Sequence, residues 1–304
     1  MKATLSILGS GSALPTKTHY PTSQILEMRD KQFMIDCGEG AQIRLRQMGI
    51  KTNRLGHIFI SHLHGDHCFG LLGLISTFGM MNRTADLHIH GPSGIEKLFQ
   101  PQLDFFCEEL PFQVIFHEFD AGKNVLIYED KSVYVYTIPL KHRVPCAGFL
   151  FEEKPAERHI LRDMIDFYQI PVSAIHKIKS GEDFVLPDGS VVPNSRITKP
   201  ATPPLKYAYC SDTAYSAKII PMIAGVDWLY HEATFAESEL LRARQTLHST
   251  AAQAGRVAAE ARVKNLLIGH FSARYNNLQL LLAEACHVFP NTQLAEDLQV
   301  FELR

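Results

Sequence analysis

A chain of 304 residues, 46% of them hydrophobic, has apolar material for one large core or two smaller ones. A formal net charge of -2 excludes a global basic signature for nucleic-acid binding and leaves such a function to a local patch. No stretch reaches transmembrane length, and MKATLSILGSGSALPT at the start lacks a signal peptide's apolar core and cleavage site.

Apolar runs open the chain as strands at ATLSILG (3–9), SQILEM (23–28) and QFMIDCG (32–38), with helices expected after 40, after 67 and after 92. LGHIFI (55–60) reads as a buried strand that runs straight into SHLHGDHCFG (61–70). The ligand-rich segment is then a loop at the strand's C-terminal end. The apolar run that follows, broken by Gly70, Gly73 and Gly79, suggests a short helix packed closely on its neighbours. The strand signal continues at 87–92, 112–119, 124–130 and 132–142.

From about 150 to 205 the texture changes to a charged, proline-punctuated stretch with one helix-like piece near 157–168. It reads either as a solvated insertion or as an arm that reaches a large partner. Strands return at 206–212 and 226–233, and a helix is expected from Ser249 to about Val263, capped by Ser249 or Thr250. The last clear strand is NLLIGH (265–270). Cys37, Cys68, Cys107, Cys146, Cys210 and Cys286 stand singly, as reduced thiols of a cytoplasmic protein would. Cys68 is a ligand candidate by proximity alone, and an unnecessary one.

His62, His64, Asp66 and His67 gather three imidazoles and a carboxylate in six positions, the donors a borderline-soft divalent metal prefers. A lone histidine is more often a hydrogen-bonded surface or core residue, but a cluster this dense needs charge compensation. A binuclear centre needs further donors, and three polar residues terminate apolar runs: His142, Asp212 and His270. Such positions can converge at one sheet edge. His19, His57, His88, His90, His117, His159, His176 and His287 belong to no such constellation and read as structural or surface residues.

SHLHGDH with His142, Asp212 and His270 resembles the metallo-β-lactamase superfamily, and HEAT (231–234) with HST (248–250) resembles its tRNA 3′-processing branch, ribonuclease Z. The resemblance runs over essentially the whole chain, through LGSGSALPT (8–16), DCGEG (36–40), CSDT (210–213) and GHFSARY (269–275). It implies an α/β (α+β) fold, an αβ/βα sandwich of two mixed β-sheets flanked by helices. Residues 1–304 then form one domain, and 150–205 an inserted flexible arm, the exosite that grips tRNA. In detail the arm departs from the family: 170–179 lacks the usual Gly-Pro dipeptide, and 198–206 lacks the usual basic stretch.

The same resemblance implies two Zn²⁺ ions per subunit, with Mn²⁺ able to use the same ligands. His62, His64 and His142 hold one ion, Asp66, His67 and His270 the other, and Asp212 bridges them. Two such ions about 3.5–4 Å apart lower the pKa of a bridging water, whose hydroxide attacks the phosphodiester. Asp66 orients it or acts as general base. Spacing alone makes His248 an ordinary helix-start residue; the resemblance makes it the proton donor, with Glu232 as partner. His231 reads as a strand-end residue. Ser249 and Thr250 are N-caps whose exposed amides could also receive a phosphate. Arg274 and Tyr275 are substrate-contact candidates, phosphate for the first and base or ribose for the second, although Arg274 equally suits a solvated surface.

The implied activity is a cut in precursor tRNA after the discriminator base, leaving a tRNA 3′-hydroxyl and a trailer 5′-phosphate, by a homodimer in the family manner. The competing enzyme class is a small-molecule phosphodiesterase of the same fold, which would need no distant grip. A zinc-binding protein without catalysis fits poorly with a complete ligand set that includes Asp66.

Overall fold

The computed structural model describes residues 3–304. They form two compact units, one built from the segments up to Glu152 and from Leu205 onward, the other from Glu153–Pro204.

In the first unit, β1 (Thr4–Gly9), β2 (Ser23–Met28) and β3 (Lys31–Cys37) are antiparallel neighbours. β4 (Leu55–Phe59), β5 (Leu87–Pro92) and β6 (Val114–Phe119) then add in parallel. Parallel addition requires crossovers. These are α1 (Ala41–Gln47), α2 (Gly65–Cys68) with α3 (Gly70–Met80), and α4 (Ile95–Phe106). β7 (Leu126–Glu129), β8 (Val133–Pro139) and β9 (Ala147–Glu153) begin a second sheet.

The second unit holds β10 (His159–Ile160), α5 (Arg162–Tyr168), α6 (Val172–Ser180), β11 (Phe184–Val185), β12 (Val191–Val192), α7 (Asn194–Ile197) and β13 (Thr198–Lys199). It has a small core of its own around Ile170, Ile178, Val192 and Ile197. Sequence periodicity suggests one helix here, yet α6 is also present. It buries Ile178, packs Ala174 and Ile175 against the same core, and stops at Gly181, whose φ of 112° is left-handed.

The chain then completes the second sheet with β14 (Lys206–Cys210), β15 (Trp228–Glu232), α8 (Leu240–Thr246), α9 (Ala251–Glu260), β16 (Asn265–Gly269), α10 (Gln279–Val288) and β17 (Thr292–Leu294). β14 to β17 are successive parallel neighbours. β18 (Val300–Glu302) returns to pair with β1. The orders are β18-β1-β2-β3-β4-β5-β6 and β17-β16-β15-β14-β9-β8-β7.

Two mixed sheets flanked by helices are therefore present, as expected. Phe33 and Phe59 of one sheet meet Phe149, Phe151, Tyr207 and Tyr230 of the other in the central core. A second cluster lies between the first sheet and α1, α3 and α4, and a third between the second sheet and α9 and α10. Burial on both faces gives the parallel strands their continuous apolar runs. No helix among the described residues is long and apolar enough to cross a membrane.

Candidate metal centre and active site

The candidate residues occupy the C-terminal ends of strands, where open α/β sheets place ligands. β4 ends at Phe59 and delivers Ser61 and His62; Gly65–Cys68 then closes one helical turn. Asp66 and His67 thus stand on α2 and not in an open loop. The turn can form here because glycines clear the way. A Cβ at Gly70 would lie 2.1 Å from the Gly38 carbonyl oxygen, and one at Gly38 would lie 2.6 Å from the Asp66 carbonyl oxygen.

His142 follows β8, Asp212 follows β14 and His270 follows β16. Asp212 and His270 adopt left-handed φ values of 54° and 57°, which swing the chain off the strand end. The donor atoms of His62, His64, His142 and Asp212 lie within 4.8 Å of one another, as do those of Asp66, His67 and His270. One carboxylate serves both sets. Asp212 Oδ2 is 3.6 Å from His62 Nε2 and from His142 Nε2, while Oδ1 is 3.1 Å from His67 Nε2 and 3.0 Å from His270 Nε2.

At those separations His67 Nε2 and His270 Nε2 still make no hydrogen bond and remain buried without a partner among the described residues. Nitrogen and oxygen donors that converge without hydrogen-bonding to one another are what a shared cation requires, so this donor set fits a metal. The outer nitrogens are tied off. His67 Nδ1 donates to Asp36 at 2.7 Å; His270 Nδ1 meets the Thr234 hydroxyl at 3.0 Å, His62 Nδ1 the Ser61 hydroxyl at 3.0 Å, and His142 Nδ1 the Leu247 carbonyl at 3.3 Å. Such contacts fix ring orientation and leave the inner nitrogens for a cation. Cys68 takes no part: its thiol donates to the His64 carbonyl, and burial pushes it up to about 12.

Asp36 organises one side of this shell. Buried and left-handed at φ 55°, it also accepts from the Ser61 amide at 2.7 Å, the Ser61 hydroxyl at 2.9 Å and the Tyr209 hydroxyl at 2.6 Å. Asp36→Ala strands all of these donors. The expected loss of unfolding free energy in a urea titration is about 3 kcal/mol or more, and a loss below about 1 kcal/mol contradicts this role.

Beside the two sets, His248 Nδ1 donates to Glu232 Oε1 at 2.9 Å. Glu232, at the end of β15, is fully buried and also accepts from the Thr213 amide, the Thr234 hydroxyl and the Ser249 amide at 2.6, 2.6 and 3.0 Å. The His248 ring stacks on His270 with centroids 5.4 Å apart.

The chain is 60% identical over 296 residues to a protein of Bacteroides fragilis named Ribonuclease Z, covering 97% of each chain. The chain belongs to the ribonuclease Z family. Its fold is shared with human tRNase Z, short form (TM-score 0.72, 24% identity, 99% of each chain). It is also that of the metallo-β-lactamase fold protein YhfI of Bacillus subtilis (TM-score 0.69, 18% identity, 99% of this chain and 100% of that one). Residues 3–113 match a family profile described as Anti-Pycsar protein Apyc1.

In this ribonuclease Z family member the electrostatics separate two acid–base groups. Burial opposes ionisation of Asp66, but the neighbouring His67 and His270 imidazoles outweigh it and hold the carboxyl below the usual range. Burial likewise disfavours charge on His248, but the Glu232 carboxylate prevails and raises the imidazole to about 9.

The cleft at the centre is lined by Asp66, His248 and Arg274, and by two arginines that sequence spacing does not single out, Arg143 and Arg242. Arg143 adjoins the expected ligand His142, and Arg242 projects from α8, seven residues long and too short to show a period. Arg274 pairs with Glu239 at 2.8 Å and lies over the Phe235 ring. Tyr275 is absent from the cleft wall; its hydroxyl accepts from the Ala236 amide at 2.8 Å, and packing accounts for its position.

His231 is buried against the Glu232 carbonyl. The cap of α9 is Thr250, in a capping box with Gln253. The expected phosphate-receiving amides are already engaged: the Ser249 amide donates to Glu232 and the Thr250 amide to Gln253.

Proposed function

We propose that this chain is a metal-dependent endoribonuclease that removes 3′ trailers from precursor tRNA. The observation that carries the reading is Asp212 facing two ligand sets at once, with the His248–Glu232 pair beside them. His62, His64 and His142 would hold one zinc, Asp66, His67 and His270 the other, with Asp212 shared; Mn²⁺ suits the same donors. When bound, two such ions acidify a water at neutral pH and withdraw charge from the phosphodiester oxygens.

The chain's own residues do the rest. Ionised Asp66 accepts a hydrogen bond from the attacking water and aims it at phosphorus. Protonated His248 gives its Nε2 proton to the 3′-oxygen as the P–O3′ bond breaks. The tRNA departs with a 3′-hydroxyl and the trailer with a 5′-phosphate. Arg143, Arg242 and Arg274 suit the flanking phosphates.

The unit Glu153–Pro204 is assigned to gripping tRNA. Its seven basic and seven acidic residues cancel, so the grip rests on local features such as Lys177 and Lys179 on α6 and exposed Phe167. The six free thiols support a reducing, cytoplasmic setting. Turnover of an end-labelled precursor tRNA against bis-p-nitrophenyl phosphate tests the reading. Efficient, single-site precursor cleavage is expected; turnover of the small ester with the precursor intact would make this a different hydrolase.

A homodimer is supported by exposed apolar side chains on the mutually packed helices α1, α3 and α4: Ile43, Met80, Leu98, Phe105 and Phe106. Light scattering on the zinc-loaded protein is expected to give twice the chain mass, and a Phe105→Glu/Phe106→Glu variant the monomer mass. A parent that scatters as a monomer refutes the dimer.

A further inference from the structure

Four histidines outside the active site converge on one face of the first sheet. In the parallel register His57 of β4 lies opposite His88 of β5, and His90 of β5 opposite His117 of β6. His88 and His90, two positions apart, share a face. The rings form a compact array: His57 stacks on His88 with centroids 4.8 Å apart, and His90 on His117 at 4.7 Å. Phe59 stacks beneath His90 at 4.5 Å, and Tyr128 stands 4.5 Å from His57. Two nitrogen pairs close the array, His57 Nδ1 with His90 Nε2 at 3.1 Å and His88 Nδ1 with His117 Nε2 at 2.9 Å.

We propose that His88 and His117 form a separate binding site for a borderline-soft divalent transition metal such as zinc, built on His57 and His90. Two imidazole nitrogens on one zinc, each about 2.0–2.1 Å from it in tetrahedral geometry, stand about 3.3 Å apart. The candidate active centre shows the same spacing, with His62 Nε2 and His142 Nε2 at 2.9 and 3.3 Å from His64 Nδ1. A cation in the place of the shared proton takes a lone pair from each ring.

His90, 3% exposed, keeps a buried Nδ1 with no hydrogen-bond partner among the described residues. His117 is exposed and His88 partly so, which opens this pair to an ion from solution, with water completing its coordination. The consequence is mechanical: β6 is the edge of its sheet, and a metal bridging β5 and β6 fastens that edge.

The test compares the zinc retained per chain, after equilibrium dialysis against a fixed zinc concentration, in the parent and in a His88→Ala/His117→Ala variant. The expected result is one equivalent fewer in the variant, with precursor cleavage unchanged. Because the readout is a difference, it stands whatever the active site holds. A His117→Asn variant, altered only at the exposed ring, should lose the same equivalent, and His287→Ala should lose none. The parent should also melt higher in zinc than the double variant does. Equal zinc content in parent and double variant would overturn the site.

Discussion

Asp66→Ala is expected to slow precursor cleavage by about 10³-fold or more, with the fold retained. The carboxylate stands 3.5 Å from His67 Nε2 and 3.6 Å from His270 Nε2 and lines the cleft. Removing it leaves the Asp36–Ser61–Tyr209 network and the packing of α2 in place, so the melting temperature should move little. Two functions go at once: one donor of the second ligand set and the group that aims the water. Zinc analysis separates them. If Asp66→Asn restores zinc content without restoring rate, orientation by the ionised carboxylate is the larger effect. Single-turnover rates within about threefold of the parent would contradict its role.

His248→Ala should lower the single-turnover rate by about 10²–10⁴-fold while zinc content and precursor affinity stay the same. A proton donor must be protonated, and Glu232 raises this imidazole to about 9. The rate in the parent should therefore lose its His248-dependent part as pH rises through about 9. Glu232→Gln removes the raising charge, so that limb should move to lower pH. A precursor whose scissile 3′-oxygen is replaced by sulfur departs without a proton and should recover most of the lost rate in His248→Ala. Equal defects on the oxygen and sulfur substrates would show that His248 acts otherwise, as a positioning residue.

The sequence reveals the site more fully than the scaffold around it. Dense ligands at a strand end are visible in SHLHGDH, and His142, Asp212 and His270 each terminate an apolar run, because parallel strands buried on both faces leave their first polar residue at the sheet edge. The structure brings all seven together. β17 and β18 are three residues each, too short to show a period, and β9 hides where apolar GFLF runs into charged EEK. Asp36 is equally hidden, since nothing local distinguishes a turn aspartate from one that holds a candidate ligand 31 residues away. The histidines at 57, 88, 90 and 117 look isolated along the chain. Only strand register stacks them.

The most direct measurement is anomalous diffraction from crystals of the zinc-loaded protein, recorded just above and just below the zinc absorption edge. The expected result is two peaks in the cleft, one among His62, His64 and His142 and the other among Asp66, His67 and His270, with one Asp212 oxygen on each. A single peak there, or two peaks that leave Asp212 unbound, would contradict the binuclear centre on which the mechanism rests.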